Sequence, residues 1–173
     1  MANTITKLGS YVVPASGTAN NITFSSLSQA YQDLYILVSV RGTAGTYDTL
    51  GLYFNGSQAN ISNLMVLSTG TAINQSTSTY RAFGSMASGG TTAATNSFTT
   101  YKIHISNYSS TTTSKHILAD SALEAATTTA STSLVSELWT NTAAITSIMF
   151  DSATQGQNFA QYSSFTVYGI KNS

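Results

Sequence analysis

The sequence predicts an all-β chain folded as an antiparallel sandwich or barrel, and three observations lead there. Many short apolar runs of strand length recur at roughly even spacing, separated by clusters of Ser, Thr, Gly and Asn that have turn composition. No helix-length periodic pattern joins them, which argues against a parallel design built on crossover helices. Fifty-five of the 173 residues are Ser or Thr, against six basic and six acidic residues and no Cys. Thr is favoured on the exposed side of a pleated sheet, so a third of the chain can be polar with almost no charge.

The elements follow in chain order. The first fifteen residues are thinly apolar through Ile5, Leu8, Tyr11, Val12 and Val13, and run to the lone Pro14. They read as a first strand or as an arm that docks on a neighbour, with Ile5, Leu8 and Tyr11 as candidate contact residues. From Asp33 to Arg41, Leu34, Ile36, Val38 and Val40 alternate with Tyr35, Leu37, Ser39 and Arg41. Apolar residues on both faces of its first half place this strand centrally, with its far end emerging into solvent. Leu50 to Phe54 reads as a strand, and the following Asn55-Gly56 tolerates the positive φ angles of a tight turn, so a hairpin is expected there.

Further strands are expected at Ile61 to Ser68, Ser78 to Phe83, Ser97 to Tyr108, Leu134 to Trp139, Ile145 to Asp151 and Tyr162 to Ile170. Loops are expected at Ser88 to Thr92, Ser109 to Ser114 and Gln155 to Asn158. The stretch Lys115 to Glu124 mixes helix formers with a two-residue alternation, and its Thr-rich flanks favour strand. All of this fits a single domain over residues 1–173. A chain of this size buries roughly 70% of its unfolded surface, and its 42% hydrophobic content argues against a disordered Ser/Thr tract.

Composition also excludes several functions. Zero formal charge lacks the electrostatic footprint of a protein that neutralises several phosphates, so no nucleic-acid partner is expected. The same neutrality removes a common protection against self-association. The absence of Cys rules out disulfides, thiolate catalysis and Cys-based zinc sites. No run approaches the length of a membrane span and the N-terminus lacks the regions of a signal peptide, so the chain reads as soluble and made in the cytosol. Asn-x-Ser/Thr triplets at Asn21, Asn55, Asn60, Asn74 and Asn107 arise freely in so Ser/Thr-rich a chain.

The titratable residues offer few candidates for chemistry. On a helix, His116, Asp120 and Glu124 would share a face, with His104 available from a strand as a further ligand, but no motif of defined spacing supports a metal or acid/base site. Two partly exposed sheet histidines are the simpler reading. Gly84-Ser85-Met86-Ala87-Ser88-Gly89-Gly90 lacks the order of a nucleophile elbow, and the glycines at Gly42, Gly45 and Gly51 lack the Lys and Ser/Thr of a phosphate loop. The carboxylates Asp33, Asp48, Asp120, Glu124, Glu137 and Asp151 are a low supply for glycoside hydrolysis. Neither a catalytic residue nor a cofactor is expected. The ten Tyr are the richer signal, since half-buried Tyr is ordinary in sheets yet enriched where proteins meet partners or stack on sugars.

Two segments carry a resemblance. Leu52-Tyr53-Phe54-Asn55-Gly56-Ser57-Gln58-Ala59-Asn60-Ile61-Ser62, and Leu138-Trp139-Thr140-Asn141-Thr142-Ala143-Ala144-Ile145-Thr146-Ser147-Ile148 with the closing Phe159 to Tyr162 and Phe165 to Lys171, resemble small virion structural proteins of tailed bacteriophages. The approach through Ile22 to Leu27 fits the same pattern, so the likeness runs from about residue 20, with Ile61 standing where an aromatic is common. The resemblance implies an antiparallel, jelly-roll-like β-sandwich on the virus particle, made in the host cytoplasm and present in several copies. Read from the residues themselves, Trp139, Ile145, Ile148, Phe165 and Val167 are core candidates, Asn55-Gly56 a turn, and Gly169 a site of close backbone packing. The expected function is non-enzymatic, a capsid decoration or cement protein that stabilises the assembled head. Its expected partners are copies of itself, as a trimer suited to a capsid's local threefold positions, together with the major capsid protein or other virion proteins. A receptor- or glycan-binding module of a tail or head fibre, meeting a host surface glycan, is the alternative.

Overall fold

A computed structural model describes residues 4–43, 48–68, 72–78, 82–88, 97–123, 130–152 and 158–171. They form twelve strands and no helix. In chain order these are β1 (Thr4–Val12), β2 (Asn21–Phe24), β3 (Asp33–Gly42), β4 (Asp48–Phe54), β5 (Ile61–Ser68), β6 (Ile73–Ser78), β7 (Ala82–Ser88), β8 (Thr99–Ile105), β9 (Lys115–Leu123), β10 (Ser131–Trp139), β11 (Ile148–Ser152) and β12 (Ser164–Lys171). The fold is an all-β, antiparallel sandwich.

The larger sheet runs β1-β12-β3-β8-β9-β10-β5-β6 and is antiparallel throughout. The smaller runs β2-β11-β4-β7. They meet at one corner, where Arg41 and Gly42 of β3 pair in parallel with Ala87 and Ser88 of β7. With β5-β6 and β9-β10 set aside, β1-β12-β3-β8 faces β2-β11-β4-β7, which is the strand order of an eight-stranded jelly roll. The two remaining hairpins, inserted after β4 and after β8, extend one sheet of that jelly roll by four strands.

Period-two burial produces this packing. In β9 buried and exposed residues alternate without a break from Lys115 to Leu123, and β8 and β10 follow the same rhythm. Between the sheets the aromatic rings interlock. Phe165 of β12 lies 5.2 Å from Phe150 of β11 and 5.0 Å from Phe159, while Trp139 of β10 meets Phe54 of β4 edge-on at 5.3 Å. Trp139, Ile145, Ile148, Phe165 and Val167 are all buried, as the sequence predicts. A Cβ on Gly169 would come within 2.5 Å of the Tyr31 ring, so only glycine lets β12 pass beneath it.

Three expectations are corrected. Asn55 and Gly56 do form a tight turn, with φ of 51° and 76°, closed by reciprocal backbone hydrogen bonds between Phe54 and Ser57. That turn does not make a hairpin. Beyond Ser57 the chain crosses to the other sheet, because Ile61 must pair with Trp139 of β10, while β4 lies between β11 and β7. The far end of β3 does not emerge into solvent, since Val40 and Gly42 are buried and Gly42 pairs with Ser88 of β7 and with Phe159. The strand expected at Ser78 to Phe83 is divided between the end of β6 and the start of β7, and residues 79–81 lie outside the described set. The remaining strands match within a few residues, including Lys115–Leu123, where two-residue alternation overrides the helix formers. Of the expected loops, residues 89–92 and 155–157 lie outside the described residues.

Candidate interaction surface

Directly opposed residues of an antiparallel sheet share a face, so register sorts the exposed residues of the larger sheet. On its outer face one row reads Tyr168, Tyr35, His104, Leu118, Ser136, Leu64. The neighbouring row reads Thr166, Leu37, Lys102, Asp120, Leu134, Val66. Leu64, Leu118 and Leu134 are 47–53% exposed, and they surround Ser136 with Val66 beside them. All four aliphatics belong to the inserted hairpins. Leu37 continues the apolar character inward, and Ile5, Val12 and Ile73 lie on the same face at its edges. Among the described residues, therefore, all exposed large hydrophobics except Tyr11 and Tyr162 fall on one face of one sheet. Scattered exposed aliphatics are normal on a protein surface, but concentration on a single face marks an interaction site.

The polar side chains at the middle of this face are paired. Lys102 and Asp120, directly opposite on β8 and β9, form an ion pair at 3.8 Å with both side chains more than half exposed. His104 Nε2 lies 3.4 Å from Asp33 Oδ2, and the other oxygen of Asp33 accepts the Asn107 backbone N–H at 2.8 Å. The exposed Lys102–Asp120 pair contributes at most about 1 kcal/mol.

Among the described residues the candidate catalytic groups do not come together. Because β9 is a strand, His116 and Asp120 lie about 13 Å apart along it, at about 3.4 Å per residue, instead of on adjacent turns of a helix. Glu124 and the side chain of Asp48 lie outside the described residues. Among the described residues no three His, Cys, Asp or Glu side chains converge. Asp33 and Asp120 share the outer face but stand two strands and four register positions apart. Glu137 is buried with Asn63, which donates to it at 3.3 Å, and Asp151 belongs to the smaller sheet, where it accepts a hydrogen bond from Tyr53. Burial and that carboxylate raise the Tyr53 pKa. Gly84 to Ser88 lie within strand β7 and make no nucleophile elbow.

The expected contact residues fall in strand β1, paired antiparallel to β12 at the sheet edge. They do not form one patch. A register shift between Lys7 and Gly9 leaves Leu8 unpaired and packed against the core, while Ile5 lies on the outer face, 62% exposed, and Tyr11 lies opposite Phe165.

The inserted-hairpin face was missed in the sequence, although a signal was present. Leu64 to Leu67 is a continuous apolar run, and Leu118 and Leu134 each flank residues that point inward. Apolar residues on both faces normally mean a strand covered on both sides. Here only one side is covered.

Beneath the face lies a buried polar clamp. Lys115 is fully buried, and its Nζ donates to the carbonyls of Ser110, Thr113 and Thr142 at 2.7–2.8 Å while lying 5.6 Å from the Trp139 ring centroid. Burial lowers its pKa. Tyr108, also buried, donates to the Ser28 carbonyl, and desolvation with the nearby Tyr31 pushes its pKa up to about 12. Both groups fasten loops to the sheet. Neither opens onto a cleft.

The chain matches no protein-family model, no curated protein and no solved structure.

Proposed function

We propose that this chain is a non-enzymatic structural protein of a bacteriophage virion, a decoration or cement protein that sits on the assembled head and reinforces it. The observation that carries the reading is the outer face of the larger sheet, a broad surface with its exposed aliphatics gathered on the inserted hairpins. Such a surface suits repeated, permanent contact in which apolar burial and neutral hydrogen bonds do the holding. The jelly-roll strand order and the resemblance of residues 52–62, 138–148, 159–162 and 165–171 to small phage virion proteins support the same reading.

Among the described residues Asp33 pairs with His104 and Asp120 with Lys102, and no three His, Cys, Asp or Glu side chains converge. Deleting the gene from the virus that encodes it tests the proposal. The resulting heads are expected to assemble but to release their genome at lower temperature, and adding back the purified protein restores the wild-type threshold. Heads of unchanged stability and unchanged composition would overturn it.

A further inference from the structure

We infer that the outer face of the larger sheet is covered by a second copy of this chain, in a two-fold, face-to-face pairing whose axis runs between β8 and β9. This rests on the virion reading only in that both assign the face to protein contact. The inference comes from the order of residues across the sheet.

β8 and β9 are the middle pair of the eight strands. A two-fold axis along their boundary lays the inserted half of each sheet over the jelly-roll half of the other. Register then fixes what meets what. Lys102 stands over Asp120 of the second copy and Asp120 over its Lys102, so each intramolecular ion pair becomes one side of a four-charge square of alternating sign. Leu134 meets Leu37 of the second copy, and Leu64 meets its Tyr168. An axis moved onto β9 would instead set Asp120 against itself, and an axis between β9 and β10 would set Asp120 against Leu134. Of these three axes only the central one pairs Lys102 with Asp120, and it sets Leu134 and Leu64 on apolar partners while Leu118 meets His104 and Val66 meets Thr166 of the second copy.

The size also fits. Eight strands at about 4.8 Å spacing and about seven residues at about 3.4 Å give a face of roughly 900 Å², near the roughly 800 Å² per partner of a stable interface. Two sheets packed in this way remain within about 30° of parallel, as in an ordinary sandwich. The pairing is isologous and closes on itself, so it makes a dimer in place of the trimer that capsid symmetry suggests.

Native mass spectrometry and sedimentation equilibrium of the purified full chain test this, with twice the 18.2 kDa chain mass expected. Lys102→Asp opposes two acids across the axis and is expected to weaken the dimer at least tenfold, as is Asp120→Lys with two bases. The double swap Lys102→Asp with Asp120→Lys restores the alternating square and the dimer, an outcome peculiar to self-association. Leu118→Ser with Leu134→Ser is expected to give a monomer, and its far-ultraviolet circular dichroism separates lost pairing from lost fold. If either Leu substitution unfolds the chain, the charge swap decides alone. A monomeric or trimeric wild type, or a dimer indifferent to both single charge reversals, overturns the inference. If the chain is monomeric yet still binds heads, the pairing fails and the virion reading stands; a dimer that ignores heads does the reverse.

Discussion

Replacing Lys115 by Met is expected to destabilise the fold by about 2–4 kcal/mol. The side chain is fully buried and its ammonium donates to three carbonyls at 2.7–2.8 Å. Hydrogen bonds to a charged group contribute about 1.5–3 kcal/mol each. Against them stands the desolvation of the ammonium, several kcal/mol, which the lowered pKa expresses. Met retains the stem and a favourable contact with the Trp139 ring, worth about 1 kcal/mol. The remaining loss is three orphaned carbonyls, at about 1 kcal/mol each because the Ser110 to Thr113 turn is close to water.

With a urea m value of about 2 kcal/mol/M, the transition midpoint falls by about 1–2 M. The single Trp139, buried beside the clamp, supplies the fluorescence signal. A pH arm checks the cause. Since the folded pKa lies below the unfolded value, the unfolded chain holds more protons between the two, and stability rises with pH across that window. The Met variant lacks this rise. A variant as stable as the wild type, or more so, would refute the reasoning, because the clamp would then only offset its own desolvation.

The other predictions concern single contacts. Tyr108 has a folded pKa of about 12 against 10.0 unfolded, so its contribution is complete below pH 10 and is lost as pH rises towards 12. Two pH units correspond to at most about 2.7 kcal/mol, which solvent screening near Ser28 reduces to about 1–2 kcal/mol, and Tyr108→Phe removes that alkaline slope in urea titrations. Gly169→Ala drives a methyl into the Tyr31 ring and is expected to lower the melting temperature by several degrees, with Tyr31→Ala in the same chain recovering part of the loss. Asn55 accepts the backbone N–H groups of Thr146 and Ser147 and donates to the Ala144 carbonyl, so Asn55→Ala is expected to cost about 1–3 kcal/mol and to raise hydrogen exchange at residues 144–147.

What the sequence disclosed depended on how local the cause was. The alternation from Lys115 to Leu123 made β9 readable even among helix formers, because burial on one side needs only a period of two. Asn55-Gly56 announced its turn for an equally local reason, the positive φ angles. Which strands that turn would join was not local. Phe54 belongs beside Ile148 of β11 and Ile61 beside Trp139 of β10, partners nearly a hundred and nearly eighty residues away, chosen by packing across the sandwich.

The candidate surface was hidden for a related reason. Leu118 is indistinguishable in sequence from its buried neighbour Ile117, and only the arrangement of sheets leaves one in solvent and covers the other. Ile5, Leu8 and Tyr11 lie close in sequence, but the register shift between Lys7 and Gly9 sends them to different surroundings.

An image reconstruction of the particle tests the central claim most directly, through the copy number and position of this chain. The account predicts hundreds of copies on the outside of the head, each with the Leu64, Leu118 and Leu134 face of its larger sheet buried against protein. A chain confined to a few copies near the tail, or one carrying that face bare to solvent on the head, would contradict it.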